Sequence, residues 1–271
     1  DSSTSRGLGD VYKRQDMNVL QSLTELYNHL SLDSTYRNVC KGILENLDEA
    51  ANGTVYDIAE LTNSSRTTVW RMVQKLGYKN FTDFHHELRR AVKHYTYYNR
   101  LLPSEQSQDA ASVKDFMLRQ VMQTYELIKD QIDTKELEQI AEELHLADKV
   151  VFYTPYKNSA ILSLQQNLAM EGQETGYYCL LPDMLEDSIT LTEQSIVIVN
   201  MIEHVETMDM ELVFNNIKKK RAKIYGVSTR YEKYLDKELF YSDKDKIVTG
   251  VLMFDLYFLM LSEIYRMKYI G

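Results

Sequence analysis

Apolar residues recur at helical spacing through roughly the first hundred positions, and much of the rest carries them in short uninterrupted runs. Leu20, Leu23, Tyr27 and Leu30 mark one amphipathic helix, and Tyr36, Val39, Cys40, Ile43, Leu44 and Leu47 mark a second. Val69, Met72, Val73 and Leu76 fall at i, i+3, i+4 and i+7, which at about 100° per residue places them in one stripe. Tyr78 to Phe84 then leads into a further helix through about Tyr98. After a polar, aperiodic stretch at 103–112 the texture changes. Helical patterns over 113–132 and 134–146 are followed by β-rich runs at 149–154, 177–181, 195–200, 222–228 and, more weakly, 238–241. Ile196 to Val199 is apolar without alternation, as a strand covered on both faces requires. Strands alternating with helices predict an α/β doubly wound parallel sheet behind an all-α domain. Val248, Val251, Leu252, Leu256, Leu259 and Ile264 mark a final helix, either core or subunit interface.

The segment 54–77 carries the sharpest local signals. Thr54 with Asp57 three positions on forms a capping-box-like helix start. Val55, Ile58 and Ala59 form the buried side of that helix, the small Ala allowing a second helix to come close. Asn63 suits the left-handed residue of a tight turn, Ser65 suits the next N-cap, and Gly77 suits the stop. Opposite the apolar stripe of the second helix stand Thr67, Arg71 and Gln74, flanked by Thr68, Trp70 and Lys75. Arg66 lies at the rim of the first turn, where recognition helices meet base edges. That face has no acidic residue. Two short helices joined by a turn, the second oily on one side and basic-polar on the other, are the pattern of a DNA-reading helix-turn-helix. The candidate DNA-contacting residues are Thr54, Ser65, Arg66, Thr67, Thr68, Trp70, Arg71, Gln74, Lys75 and Lys79.

Charge sharpens the division. Residues 33–100 hold ten Lys/Arg against eight Asp/Glu, whereas 101–271 hold eighteen against twenty-eight, so the overall charge of −9 hides a mildly basic head on an acidic body. Such a balance argues against a nonspecific nucleic-acid coat and leaves room for a sequence-specific reader with a local patch. Lys218 to Arg221 is the densest basic run. It closes a helix before a strand, where cations favour the negative helix terminus. The two cysteines, Cys40 and Cys179, suggest a reducing compartment, and the six histidines show no metal-ligand spacing. The longest apolar segment, 247–261, contains Asp255 and falls short of the ~20 residues a bilayer span needs. Residues 1–15 match nothing that follows and lack a signal peptide's apolar stretch, so they read as a disordered tail or an artefact.

The stretch from Asn46 to Arg89, including the helix-ending Leu76-Gly77-Tyr78 and the Phe81-x-x-Phe84 after it, resembles the N-terminal domain of RpiR-family bacterial transcription regulators. The resemblance implies a following sugar-isomerase-type (SIS) domain, and the strand and helix pattern of the second half fits one. The implied organisation is a helix-turn-helix domain over 16–98, a linker over 99–112 and an SIS-like effector-sensing and dimerization domain over 113–271. It further implies a cytoplasmic homodimer or higher oligomer that binds a double-stranded DNA operator and a small-molecule effector, with no membrane partner, cofactor or metal.

The second domain departs from the pattern it resembles. An SIS domain's first strand runs into a Gly-rich turn and a serine at the next helix start, where backbone N–H groups hold a sugar phosphate. Here Thr154-Pro-Tyr-Lys-Asn-Ser159 has no glycine, and the third strand runs into Asn200-Met-Ile-Glu-His-Val205, where Glu203 would repel a phosphate. Lys157, Asn158, Ser159, Asn200, Ser228 and Thr229 are the remaining candidates for effector contact. A phosphorylated ligand, a different small molecule and a domain kept for dimerization all stay open on these residues. The rival function is a sugar-phosphate isomerase or other SIS enzyme; it finds no convincing acid/base pair beside an intact phosphate loop and leaves the first domain unexplained.

Overall fold

A computed structural model describes residues 19–93, 109–155, 157–202, 210–228, 231–243 and 246–271. The chain forms two compact units, the first drawn chiefly from residues before 100 and the second chiefly from those after.

The first unit is all helical, with α1 Val19–His29, α2 Thr35–Glu45, α3 Leu47–Asn52, α4 Val55–Leu61, α5 Arg66–Lys75 and α6 Phe81–Lys93. One side of each helix closes a common core: Val19 and Leu23 from α1, Val39, Cys40 and Ile43 from α2, Ile58 from α4, Val69, Met72 and Val73 from α5, Phe84 and Leu88 from α6. The helical spacing marked Leu23, Val39, Cys40, Ile43, Ile58, Val69, Met72 and Val73 but not Val19 or Leu88, and Leu20, Tyr27, Leu30, Tyr36, Leu44 and Leu47, which it also marked, are only partly buried. Burial pushes the Cys40 thiol up to about 12, so it stays protonated and behaves as a small hydrophobe. The predicted continuation of α6 to Tyr98 lies outside the described residues.

After residue 100 the chain runs α7 Ala110–Gln131, α8 Thr134–Leu146, β1 Lys149–Tyr153, α9 Ser159–Met170, β2 Glu174–Tyr178, α10 Leu181–Ser188, β3 Ile196–Met201, α11 Glu211–Lys220, β4 Lys223–Ser228, β5 Lys237–Glu238 and α12 Ile247–Tyr269. The strands form one five-stranded sheet in the order β2-β1-β3-β4-β5. Every pairing is parallel. All six residues of β3 are buried, as its unbroken apolar run predicts. Val150, Phe152, Ile196, Ile198, Tyr225 and Val227 share a core with Leu137 and Ile140 of α8, Ile161 and Leu164 of α9, and Phe254 and Phe258 of α12. On the opposite face Val151, Val197, Val199 and Ile224 are also shut off from solvent. Gly226 lets β4 lie against β3, since a Cβ there would collide with the carbonyl and side chain of Val199.

Several boundaries differ from the sequence reading. Asp109 caps α7 by accepting from Ser112 N at 2.7 Å, so the last three residues assigned to the linker are already helical. β2 starts at Glu174 and not at Tyr177, because its register is set by pairing along β1 from Lys149 to Tyr153. Leu181 belongs to α10 and not to that strand. β5 shrinks to two residues beside Tyr225 and Gly226.

The final helix is the largest departure. It is 23 residues long, and by length and composition it does reach what a membrane span needs, contrary to the sequence reading. Beyond Leu261 the exposed Glu263 and Arg266 sit on the solvent side of a continuing helix whose Leu261, Ser262 and Tyr265 stay buried. Half of its most apolar window is covered by the protein itself, and Asn167 of α9 donates to the Ser262 carbonyl and hydroxyl at 3.1 and 2.9 Å.

Candidate nucleic-acid interface and effector crevice

Local chemistry builds the first site. Thr54 caps α4: its hydroxyl accepts from Tyr56 N and Asp57 N, and the Asp57 carboxylate takes the Thr54 backbone N–H at 2.6 Å. Those hydrogen bonds, backbone first, hold the Asp57 carboxyl below its ordinary range. The chain then leaves α4 with Asn63 N donating to Glu60 O and Ser64 N to Ala59 O, at 3.0 and 2.8 Å, around Asn63 at φ 46°. That bond pair with a left-handed residue between is the Schellman stop. It turns the chain sharply enough for Ser65 to cap α5, accepting from Thr68 N at 3.1 Å. The same device ends α5, with Gly77 N to Gln74 O and Tyr78 N to Val73 O around Gly77 at φ 91°. Both turn residues are those that the sequence singled out.

Between these fixed ends α5 buries Val69, Met72 and Val73. It leaves Arg66, Thr67, Trp70, Arg71, Gln74 and Lys75 exposed, with Thr68 half-buried. Trp70 is 42% exposed, unusual for an indole that has no core role. Arg66 is held: its Nη1 donates to the Tyr56 hydroxyl at 2.7 Å and its guanidinium lies 4.4 Å from the Tyr56 ring centroid. At the other end the Lys75 ammonium stands 5.6 Å from the ring of Tyr36. Thr54, Ser65 and Thr68 spend hydroxyl capacity on caps, Ser65 and Thr68 pairing at 2.9 Å, so their first duty is to shape the turn. Lys79 is exposed just beyond the helix. Sequence reasoning missed Tyr56. On a helical wheel it is one more exposed residue, and only the packing of α4 on α5 brings its ring to Arg66.

The second site is the carboxyl edge of the sheet between β1 and β3, where strand order reverses and open α/β sheets form their crevices. Asn158 caps α9, its Oδ1 accepting from Ile161 N at 2.9 Å, and its Nδ2 donates to Asp255 Oδ1 of α12 at 3.1 Å. Tyr177 of β2 offers its hydroxyl oxygen to Asn158 N at 3.0 Å and to Thr154 Oγ1 at 3.2 Å. Burial raises the Asp255 carboxyl above its usual range. Lys157 and Ser159 are exposed, the Lys157 ammonium 6.0 Å from the Tyr177 ring. The candidates on the other strands are turned into their own loops. Asn200 Oδ1 accepts from Ile202 N at 3.1 Å, and Ser228 Oγ accepts from Tyr231 N at 2.9 Å. Asn200, Met201, Ile202 and Ser228 are all buried. Thr229 and Glu203 lie outside the described residues. The structure thus joins Lys157, Asn158 and Ser159 at one helix start, and adds Tyr177 and Asp255, which the sequence did not mark as partners. Among the described residues no cluster of three or more His, Cys, Asp or Glu is placed to hold a metal ion.

A capped helix pair presenting a basic-polar helix, followed in the chain by a doubly wound parallel sheet, defines the class: a helix-turn-helix domain and an α/β domain. Residues 17–94 match the family model described as "Helix-turn-helix domain, rpiR family". No curated protein matches the chain. Among solved structures it is similar to the Vibrio vulnificus NanR protein complexed with ManNAc-6P, at 16% identity over 93% of each chain with a TM-score of 0.46. It is also similar to the sugar isomerase domain of an RpiR transcription factor from Sphaerobacter thermophilus, at 12% identity over 61% of this chain and all of that one, with a TM-score of 0.37.

Proposed function

We propose that the protein is a one-component regulator in which α5 reads the major groove of a DNA operator and the second unit binds a small effector at the carboxyl edge of its sheet. The observation that carries this reading is the exposed face of α5: Arg66, Thr67, Arg71, Gln74 and Lys75 without an acid, on a helix whose two ends are fixed by a cap and a Schellman turn. Arginine bidentate to guanine and glutamine bidentate to adenine are the pairings such a face offers. A cytoplasmic homodimer reading a two-fold operator completes the proposal, since one helix covers too few base pairs to select a site alone. The effector would favour one spacing of the two reading heads over another and so change operator affinity. Carbohydrate derivatives are the proposed effector class, and control of carbohydrate genes the proposed role.

The α5 assignment is tested with a duplex selected by the wild-type protein from a random-sequence pool. Arg71→Ala should cost about 1–3 kcal/mol on that duplex with the fold intact, because Arg71 stands at the centre of the exposed face. Lys75→Ala should weaken selected and scrambled duplexes alike and lower the salt slope by about one, as the loss of one phosphate contact does. Unchanged affinity for Arg71→Ala would remove the helix from base reading. A changed base preference for Lys75→Ala at constant slope would show that the docking is wrong.

A further inference from the structure

Tyr56 is large, aromatic and 61% exposed, on the first helix of the reading pair. It contributes nothing to the helical core, yet it is not an isolated surface ring. Its hydroxyl accepts from Arg66 Nη1 at 2.7 Å, and the guanidinium of Arg66 lies over its face at 4.4 Å. One residue therefore holds Arg66 both by a hydrogen bond and by cation–π attraction, at the leading turn of α5. A phenol oxygen that accepts a hydrogen bond still has its own O–H to give, and that proton has no acceptor among the described residues. A guanidinium has five N–H donors in a rigid fork, so the bond to Tyr56 leaves the other donors for a base edge. In a helix-turn-helix the first helix crosses the DNA backbone while the second enters the groove, and tyrosine hydroxyls are among the groups that donate to phosphate oxygens.

Building on the proposed reading of DNA by α5, we propose that Tyr56 is a second DNA-contacting residue: its hydroxyl donates to a backbone phosphate while accepting from Arg66. The phosphate contact on α4 and the base contact on α5 then form one hydrogen-bonded chain. Arg66 enters the groove already oriented, and its side-chain entropy is partly lost before DNA arrives. Selection at the base pair facing Arg66 depends on the tyrosine as well as on the arginine.

The test uses the full chain and fluorescence anisotropy with two duplexes: one selected by the wild-type protein from a random pool, and a scrambled duplex of the same length. Tyr56→Phe keeps the ring and removes both hydrogen bonds. It should weaken the selected duplex at least tenfold, since the phosphate loses a charge-assisted hydrogen bond and Arg66 loses its anchor. The salt slope should stay unchanged, because a neutral phenol releases no counterion. Thermal melting should match wild type, as both side chains are exposed. The double variant Tyr56→Phe with Arg66→Ala should lose at least threefold less than the product of the two single losses, the mark of one coupled unit. Wild-type affinity for both Tyr56→Phe and Tyr56→Ala, alongside a clear loss for Arg66→Ala, overturns the proposal and leaves α5 reading alone. Losses that simply multiply overturn it too. If the wild-type protein selects no duplex, or if Arg66→Ala and Arg71→Ala both bind it normally, the DNA-reading assignment itself falls, a result distinct from failure at Tyr56.

Discussion

Phe84→Ala is expected to abolish DNA binding at 37 °C without touching a single DNA contact. Phe84 is fully buried at the start of α6, its ring edge-on to Tyr78 at 5.5 Å and tilted against Phe81 at 6.1 Å. Tyr78 is the residue whose N–H closes the turn ending α5, so this aromatic cluster fixes where α5 stops and how it lies on the core. Removing a buried phenyl ring costs about 3–5 kcal/mol, a large share of the about 5–15 kcal/mol that holds a whole domain folded. Urea denaturation followed by the fluorescence of Trp70, which lies on α5, reports this unit. The midpoint should fall sharply, while Phe84→Leu, which keeps most of the volume, should retain binding. An unchanged midpoint for Phe84→Ala would show that the cluster does not hold the helix in place.

What could be read in the sequence was what neighbouring residues decide. The capped helix pair α4 and α5 follows from Thr54, Asn63, Ser65 and Gly77, and the structure places all four in the cap and turn positions their chemistry predicts. α8 begins and ends where the pattern put it, because Asp133 caps its start by accepting from Lys135 N at 2.9 Å. β3 was legible because burial on both faces leaves an unbroken apolar run. β2 was not. It lies at the sheet edge with Glu174 exposed and the rest half-buried, so its limits come from pairing with β1 and not from its own composition. The two sites divide in the same way. The exposed face of α5 was visible as a helical stripe, whereas the couplings of Arg66 to Tyr56 and of Asn158 to Tyr177 and Asp255 span 10, 19 and 97 positions, and no local pattern encodes them. Asn158 did show itself as a helix-start residue. That its amide would hold a carboxylate from the last helix, at the point where an SIS domain is expected to hold a phosphate, needed the tertiary fold.

Asp187→Ala is expected to destabilise the second unit by about 3 kcal/mol. Asp187 is buried at the end of α10 and serves two strand residues at once: Lys149 Nζ reaches its Oδ1 at 2.8 Å and the Tyr153 hydroxyl its Oδ2 at 2.7 Å. Lys149 and Tyr153 lie at the two ends of β1 on the same side of the strand, so one carboxylate ties the end of α10 to both ends of β1. Burial first, and the nearby carboxylate second, push the Tyr153 phenol well above its ordinary value, so it remains a donor throughout the accessible pH range. Burial alone would lower the Lys149 ammonium, but its bonds to Asp187 and Glu174 outweigh that and raise it. Breaking a buried pair by deleting one partner costs about 3–5 kcal/mol, because the other charge is left uncompensated. Here the lower end applies, since Lys149 keeps Glu174 at 3.0 Å; that carboxylate is 69% exposed and well screened. The Tyr153 hydroxyl keeps no such substitute among the described residues. Asp187→Asn, which can still accept from the phenol, should therefore recover part of the loss, and Tyr153→Phe combined with Asp187→Ala should cost less than the two single changes added together. Far-UV circular dichroism melts of the four proteins measure this coupling, and strictly additive losses would show that the carboxylate serves Lys149 alone.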